Sequence, residues 1–290
     1  MSNNVLHDIL IIVFTVVLAP FAGALITGID RKITARFQSR TGPPITQPLW
    51  DVLKLLGKER LTVNSMQIVY VIASLMFAVL SLLMFFLRSD YLILVFILAF
   101  STVSLIVGAM SVRSPYSKIG AQREVIQILA YEPVIILMVV GMCLVTGSFS
   151  IKKIIEYPTP LFYHLPLVFM AFAYVLTIKL RKSPFDYSMS HHGHQELIKG
   201  LTTEFSGLQL ALIEITHWYE TVLFLGMITL FFAQPLWVGI IVAIVTYFCE
   251  IIIDNTCART TWQWMLRFTF ALGFCLALTN IIWLYLKMGS

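Results

Sequence analysis

Apolar stretches of about 20 residues, the length at which a helix crosses a ~30 Å hydrocarbon core, recur along the whole chain. They run over Leu6–Ile26, Ile68–Leu87, Tyr91–Val112, Val125–Gly147, Leu161–Leu180, Leu208–Phe232, Leu236–Ile253 and Trp262–Leu286. The pattern predicts an all-α fold, a polytopic membrane protein with about eight transmembrane helices. Polar positions gather in two islands, Asp30–Arg60 and Lys179–Phe205, and as scattered Glu and His residues inside the apolar stretches. In the first island, Gln47–Arg60 sets Leu49, Val52, Leu53 and Leu56 on one helical face and Asp51, Lys54 and Lys58 on others. That predicts one further helix, amphipathic and lying in the membrane interface. The chain is expected to form a single integral membrane domain over residues 1–290, with loops over 27–67, 113–124, 181–207 and 254–261.

With 59% hydrophobic and 12% charged residues among 290, and a mean hydropathy of +0.87, a soluble globular reading is excluded. Eight spans put both termini on one side. Of the 20 Lys and Arg residues, 16 fall on loops of the opposite side. The positive-inside rule therefore places the large loops in the cytoplasm and both termini outside, in a cell (cytoplasmic) membrane. The net charge of +5 is then an insertion signal, and no nucleic-acid partner is expected. The first span carries Asp8 and Pro20 but no charged n-region and no A-x-A site, so a retained helix is expected rather than a secretory signal. Cys143, Cys249, Cys257 and Cys275 lie in or beside apolar stretches without C-x-x-C spacing. Neither a disulfide framework nor a metal or cluster site is expected in this chain.

The first island begins Asp30-Arg-Lys-Ile-Thr-Ala-Arg-Phe-Gln-Ser-Arg-Thr-Gly-Pro. At helical spacing Lys32, Arg36 and Arg40 form an i, i+4, i+8 cationic stripe, which Gly42-Pro43-Pro44 then breaks. By composition this is a basic loop that meets anionic headgroups and fixes topology. The order of residues adds more. Asp30-Arg-Lys-x-x-Ala35-Arg36-x-Gln38-x-Arg40-x-Gly42-Pro43, followed by Gln47-Pro-Leu-x-Asp51-x-Leu-Lys54-Leu-Leu-x-Lys58-Glu59, resembles the signature of the membrane subunit of respiratory complex I that borders the quinone tunnel, shared by the related subunit of membrane-bound [NiFe] hydrogenases. Ser117-Lys-Ile-Gly-Ala to Tyr131-Glu132, and Ser183-Pro-Phe-Asp186 with Glu196-Leu197, Gly200 and Thr203-Glu204-Phe-Ser-Gly207, agree with the same resemblance.

Three departures point within that group. Only three residues separate Gly42-Pro43 from Gln47-Pro48, where the quinone-dependent relatives have a longer segment. After Pro184-Phe185-Asp186 those relatives carry a run of glutamates, replaced here by His191, His192 and His194 before Glu196. Asp254-Asn-Thr-Cys-Ala258-Arg259 resembles the Asn-x-x-Ala-Arg stretch of the hydrogenase branch. The whole pattern is most similar to the ferredoxin-linked, energy-converting hydrogenases called Ech.

The titratable residues carry the candidate chemistry, because burying a charge at the centre of a bilayer costs about 2.5–3.5 kcal/mol even on lenient insertion scales. In the fourth span Arg123, Gln127 and Tyr131 share a stripe, Glu124 and Glu132 the next one, and Pro133 frees the carbonyl of Leu129, so a kink or hydrated pocket beside Glu132 is expected. Glu132 is read as a reversible proton carrier, against the alternative of a salt bridge to a partner subunit. Glu214, His217 and Glu220 recur at i, i+3 and i+6 on one broad face, which suits either proton transfer or structural hydrogen bonding. Glu250 and Asp254 can pair with Arg259 or Arg267 and are read as structural rather than functional. His191, His192 and His194 lack the i, i+4 spacing of a helical zinc site and are read as an interfacial, proton-buffering loop. Asp186, Glu196 and Glu204 are the acids expected where a proton path begins.

The resemblance implies a membrane-anchor and coupling subunit of a ferredoxin-dependent energy-converting hydrogenase, with no cofactor of its own. The [NiFe] centre and the iron-sulfur clusters would lie in partners: the hydrogenase large and small subunits and a ferredoxin-like cluster subunit, with antiporter-like membrane subunits alongside and reduced ferredoxin as electron donor. Arg31, Lys32, Arg36, Gln38, Arg40, Gly42 and Pro43, with the three histidines, would face the soluble module. Glu124, Glu132, Asp186, Glu196, Glu204, Glu214, His217 and Glu220 would relay protons or couple their movement. A quinone-site subunit of a complex I-type oxidoreductase is the alternative within the group; it needs a gap between the first span, the interfacial helix and the sixth span wide enough for an isoprenoid tail. A stand-alone secondary transporter is the alternative of another class, and would show inverted repeats with paired broken helices.

Overall fold

The structure, a computed structural model, describes residues 2–59, 63–185 and 200–289. The helices are α1 (Ser2–Phe37), α2 (Gln47–Leu56), α3 (Met66–Phe86), α4 (Tyr91–Met110), α5 (Pro115–Thr146), α6 (Ile151–Glu156), α7 (Pro166–Lys179), α8 (Leu208–Leu230), α9 (Leu236–Thr256), α10 (Trp262–Phe268) and α11 (Cys275–Gly289). A π-helical segment, Thr269–Phe274, joins α10 to α11, so that Trp262–Lys287 is one long helix with a local widening.

Among the described residues six helices are long and apolar enough to cross a membrane: Asp8–Phe37, Met66–Phe86, Tyr91–Met110, Pro115–Thr146, Leu236–Thr256 and Trp262–Lys287. Their outer faces are what lipid requires. On α9, Leu236, Trp237, Ile240, Ile241, Ile244, Val245 and Phe248 are all exposed along one side. The other two expected spans differ. α7 has 14 residues, about 21 Å at 1.5 Å per residue, because Leu161–Tyr163 winds as a 3-10 turn and Pro166 starts the helix. α8 has 23 residues, but Glu214, His217 and Glu220 dilute its apolar character.

Loops shrink where helices outrun the apolar stretch. Asp30–Phe37, expected in a loop, is the last two turns of α1. Lys32 and Arg36 therefore share a helical face, while Arg40 lies beyond the helix end, past Ser39 at φ 56°. α5 likewise absorbs most of the loop expected over 113–124 and continues unbroken through Pro133. α2 ends at Leu56 rather than Arg60, and its buried side is Pro48 and Val52. Leu53 and Leu56, expected on the same face as Val52, are exposed together with Trp50. A helix in the interface has two apolar options, the protein below it and the acyl chains beside it, and α2 uses both.

Packing divides the described chain into two units. The first holds the described parts of Met1–Leu87, Phe96–Glu124 and Ser188–Leu223. In it Ala24, Val52, Ala211 and Trp218 form a buried cluster, with Leu49, Leu55 and Ile215 packed against it. Two glycines of α1 allow the close approach: a Cβ on Gly23 would meet the Trp218 carbonyl oxygen at 2.5 Å, and one on Gly28 the Ile45 carbonyl oxygen at 1.8 Å. The second unit holds the described parts of Arg88–Val95, Val125–Tyr187 and Phe224–Ser290. Its short α7 is closed at the N-terminus by Asn280 of α11, whose Oδ1 accepts from the amides of Leu167 at 2.9 Å and Val168 at 3.2 Å, while Nδ2 donates to the His164 carbonyl at 3.0 Å. Helix N-termini leave amides without intrahelical partners; here a neighbouring helix supplies the acceptor, so α7 can begin inside an apolar surround.

Candidate functional site

In the first unit, Asp51 of α2 organises the basic loop. Arg31 Nη1 donates to Asp51 Oδ2 at 2.7 Å and Gln47 Nε2 to Asp51 Oδ1 at 3.0 Å. Arg31 thereby fastens the end of α1 to the interfacial helix. Gly42 sits at φ +70°, and a Cβ there would meet the Ala35 Cβ at 2.6 Å, so the turn folds tightly back onto α1. Pro43 continues it, half-buried, while Arg36, Gln38 and Arg40 are exposed and Lys32 half-buried. The motif thus divides its residues: Arg31, Gly42 and Pro43 shape the loop, and Arg36, Gln38 and Arg40 remain accessible.

Deeper in the same unit a polar chain crosses three helices. Ser101 Oγ of α4 lies 2.9 Å from the Ser74 carbonyl of α3, 3.2 Å from Ser74 Oγ and 3.4 Å from Glu220 Oε1 of α8. Glu220 Oε2 in turn lies 3.2 Å from His217 Nδ1. Both serines are buried, and the His217 and Glu220 side chains are 19% and 13% exposed. A hydroxyl has one proton to donate and two lone pairs. Ser101 therefore gives its proton to the Ser74 carbonyl or to the Glu220 carboxylate, and accepts one from Glu220 when that group is protonated. The chain can thus rearrange its hydrogen bonds among Ser74, Ser101 and Glu220 without bulk water.

Glu214 is half-buried on the same helix, and Glu204 is half-buried in the segment before it. That segment is firmly seated: a Cβ on Gly120 would meet the Leu201 amide nitrogen at 2.2 Å, and Gly207, at φ +51°, lies against the carbonyls of Leu55, Lys58 and Glu59. Glu124 is buried on α5. Asp186, His191, His192, His194 and Glu196 lie outside the described residues.

The second unit holds Glu132. Lys179 Nζ, at the end of α7, stands 4.2 Å from the centre of the Tyr131 ring and 5.4 Å from that of Phe224, and its charge acts on the Glu132 carboxyl. A cation over an aromatic face is held by the ring quadrupole, by about 2 kcal/mol when desolvated. Lys179 is thus held over the rings beside a half-buried acid, one of whose oxygens, Oε1, has no hydrogen-bond partner among the described residues. Nearby, Lys182 reaches Asp254 Oδ2 at 3.4 Å and the Ser183 amide donates to Asp254 Oδ1 at 2.8 Å. This basic group on Asp254 comes from the segment after α7, where residue order had pointed to Arg259 or Arg267. Gln127, on the stripe with Tyr131, donates to the Phe185 carbonyl at 2.6 Å.

Sequence reasoning brought out His217 and Glu220 as neighbours on a helix, and the structure joins them. It missed Ser74, Ser101 and Lys179. A buried serine in an apolar stretch has no sequence signature that separates it from the helix's own i−4 bonded hydroxyls, and Lys179 reads as an ordinary span end.

Residues 9–285 match the family model described as NADH dehydrogenase. An NADH-quinone oxidoreductase subunit of Dehalococcoides mccartyi is 30% identical over 226 residues, 68% of this chain and 63% of that one. Hydrogenase-4 component C of Escherichia coli is 31% identical over 205 residues, 65% of this chain and 64% of that one. In both cases the chain spans less than two thirds of the relative's length. A chain in the solved structure of the membrane-bound sulfane sulfur reductase, an archaeal respiratory membrane complex, superposes with a TM-score of 0.86 at 25% identity, covering 96% of this chain and 99% of that one. The glycine-fastened basic loop, the six long apolar helices and a match over nearly the whole length have one explanation: the chain is an integral membrane protein of the NADH dehydrogenase family, which it shares with membrane subunits of complex I-like complexes.

Proposed function

We propose that this chain is the membrane-anchor and coupling subunit of an energy-converting, hydrogenase-type complex related to complex I. It docks a soluble [NiFe] hydrogenase module through Lys32, Arg36, Gln38 and Arg40, with the segment carrying His191, His192 and His194, on the cytoplasmic side of the membrane. Reduced ferredoxin supplies electrons to the partners. The His217–Glu220 pair and Glu132, with Glu124, Asp186, Glu196, Glu204 and Glu214, pass the energy of that reaction to proton or sodium translocation in antiporter-like neighbours.

One observation carries the preference for this branch over quinone reduction. A quinone tail would need room between α1, α2 and α8, and that room is occupied by Ala24, Val52, Ala211 and Trp218, with Gly23 drawn against the Trp218 backbone. A three-residue link from Gly42-Pro43 to Gln47-Pro48 keeps α2 close to α1. The relationship to hydrogenase-4 component C supports the same branch. The likeness to the sulfane sulfur reductase chain supports a second acceptor class, in which the same membrane subunit serves a complex reducing sulfur.

The test is to isolate the complex from its native membrane in mild detergent and identify its subunits and metals. Hydrogen evolution from reduced ferredoxin, quinone reduction and polysulfide reduction are then assayed side by side. Nickel together with ferredoxin-dependent hydrogen is the expected outcome. Quinone reduction or sulfide production in its place would move the chain to another branch, and a polypeptide that purifies alone and transports ions would overturn the proposal.

A further inference from the structure

On α9, one turn apart, Glu250 and Asp254 face a single basic side chain. Asp254 is fully engaged, by Lys182 Nζ at 3.4 Å and by the Ser183 amide at 2.8 Å. Glu250 is 3% exposed, and its Oε2 has no hydrogen-bond partner among the described residues. The charges that act on it are those of Lys182 and Asp254. Lys179, the other basic group at this end of α7, is held over the Tyr131 and Phe224 rings, and Arg181 and Arg259 flank the segment in sequence. Lys182 is itself buried, as Glu250 is, while the Asp254 side chain is 18% exposed.

Charge balance there is uneven. One ammonium offsets one carboxylate, and an unbalanced buried anion costs several kcal/mol. Neutrality calls for a second positive charge, and the open oxygen of Glu250 can take it.

We propose that Glu250 is an exchangeable proton site, and that its state sets the grip of Lys182 on Asp254. With the proton on Glu250, Asp254 has no rival carboxylate for Lys182. The segment 182–185 is then latched by the Ser183 amide on Asp254, by Ser183 Oγ donating to the Cys257 carbonyl at 2.9 Å, by the Thr260 amide donating to the Pro184 carbonyl at 3.3 Å, and by Gln127 Nε2 donating to the Phe185 carbonyl at 2.6 Å. When the proton leaves, two carboxylates a turn apart compete for one ammonium. The Lys182–Asp254 contact lengthens and the latch loosens where the chain enters the polar segment bearing Asp186 and the histidines. A proton on α9 thereby controls the seating of residues 182–185 without any step at a metal. The use to which a complex puts that control rests on the proposed function; the latch itself does not.

Amide hydrogen exchange on the full chain in its native complex, read at Ser183 and Thr260 against pH, tests this apart from any redox assay. In the wild type, exchange of both amides is expected to rise severalfold as pH rises, beyond the intrinsic base-catalysed increase of reference amides on α3. In Glu250→Gln, which keeps the shape and cannot ionise, they stay protected throughout. An infrared band of a protonated carboxyl that bleaches over the same pH range should be missing from the variant. Wild-type exchange that follows the reference amides would overturn the proposal without any variant, as would a Glu250→Gln protein that keeps the wild-type profile. Protection restored at high pH by sodium chloride but not by potassium chloride would make the occupant a sodium ion and overturn the assignment of a proton. Should Glu250→Gln fail to assemble, Lys182→Met is the second variant: it removes the contested ammonium, so exchange should be fast and rise with pH only as the reference amides do, and a pH response beyond theirs would sink the latch.

Discussion

His217 Nδ1 lies 3.2 Å from Glu220 Oε2 one turn along α8, and the same carboxylate reaches Ser101 of α4 at 3.4 Å through its other oxygen. A carboxylate divided in this way links an imidazole to a buried hydroxyl pair. A change in the hydrogen bonds of one oxygen is therefore felt by the partners of the other, because the two share one carboxylate.

The pair should therefore act as a unit. Glu220→Gln and His217→Ala are each expected to lower ion translocation per electron by about tenfold, within the 5–150-fold range of measured allosteric couplings. The double variant should lose little more than either alone. Translocation assays in proteoliposomes check this, and fully additive losses would mean that the two residues act separately.

Glu132 stands beside Lys179, whose ammonium is pinned 4.2 Å from the centre of the Tyr131 ring. Glu132→Gln should leave turnover of the soluble module with an artificial dye largely intact while weakening ion pumping. Equal loss of both would show that Glu132 holds the assembly together.

Trp218 fills the space between α1, α2 and α8. Trp218→Ala should lower stability by about 3–5 kcal/mol, the usual cost of emptying a large aromatic site, and be read as a fall in melting temperature of the detergent-solubilised chain. Gly28→Ala should be as damaging although it adds a single methyl group, since that carbon would fall 1.8 Å from the Ile45 carbonyl oxygen. An unchanged melting temperature in either would mean that this interface is loose.

Asn280 supplies three hydrogen bonds to the start of α7. Asn280→Leu keeps the volume and removes the bonds, taking these partners from the buried Val168 amide and from the half-buried Leu167 amide and His164 carbonyl. Each such group costs about 1–3 kcal/mol, so the expected effect is a large thermal destabilisation. Asn280→Asp, which still accepts from both amides, should be milder; if the two variants melt together, the cap is not what holds α7.

By contrast the Arg31–Asp51 ion pair, with side chains 40% and 32% exposed, should matter little to stability. Half-exposed pairs contribute about 0–1 kcal/mol, so Asp51→Asn should shift the melting temperature only slightly. Its effect is expected in assembly with the soluble partners instead, because it releases Arg31 and Gln47 together and lets the basic loop change shape. Co-purification of the proposed soluble partners measures that effect.

Much of this molecule could be read directly from residue order. Runs of about 20 apolar residues dictate helices in lipid because the backbone has no other way to satisfy its polar groups there. The basic loop was visible as Arg31, Lys32, Arg36, Gln38 and Arg40 before Gly42-Pro43, and helical periodicity alone set His217 and Glu220 one turn apart. What periodicity cannot report is which neighbour a face meets. Leu53 looks as buriable as Val52, yet only Val52 meets Ala24 and Trp218. Ser101 becomes part of a hydrogen-bonded polar chain only because α4 brings it to Ser74 and Glu220, more than a hundred residues from the latter in sequence. Asp254 has arginines close by in sequence, and folding brings Lys182 to it from 72 residues away. Local order fixes the period and the length of an element, since those depend on backbone hydrogen bonds between near neighbours. The partner of a buried charge depends on the packing of whole helices, and that was decided by the tertiary structure.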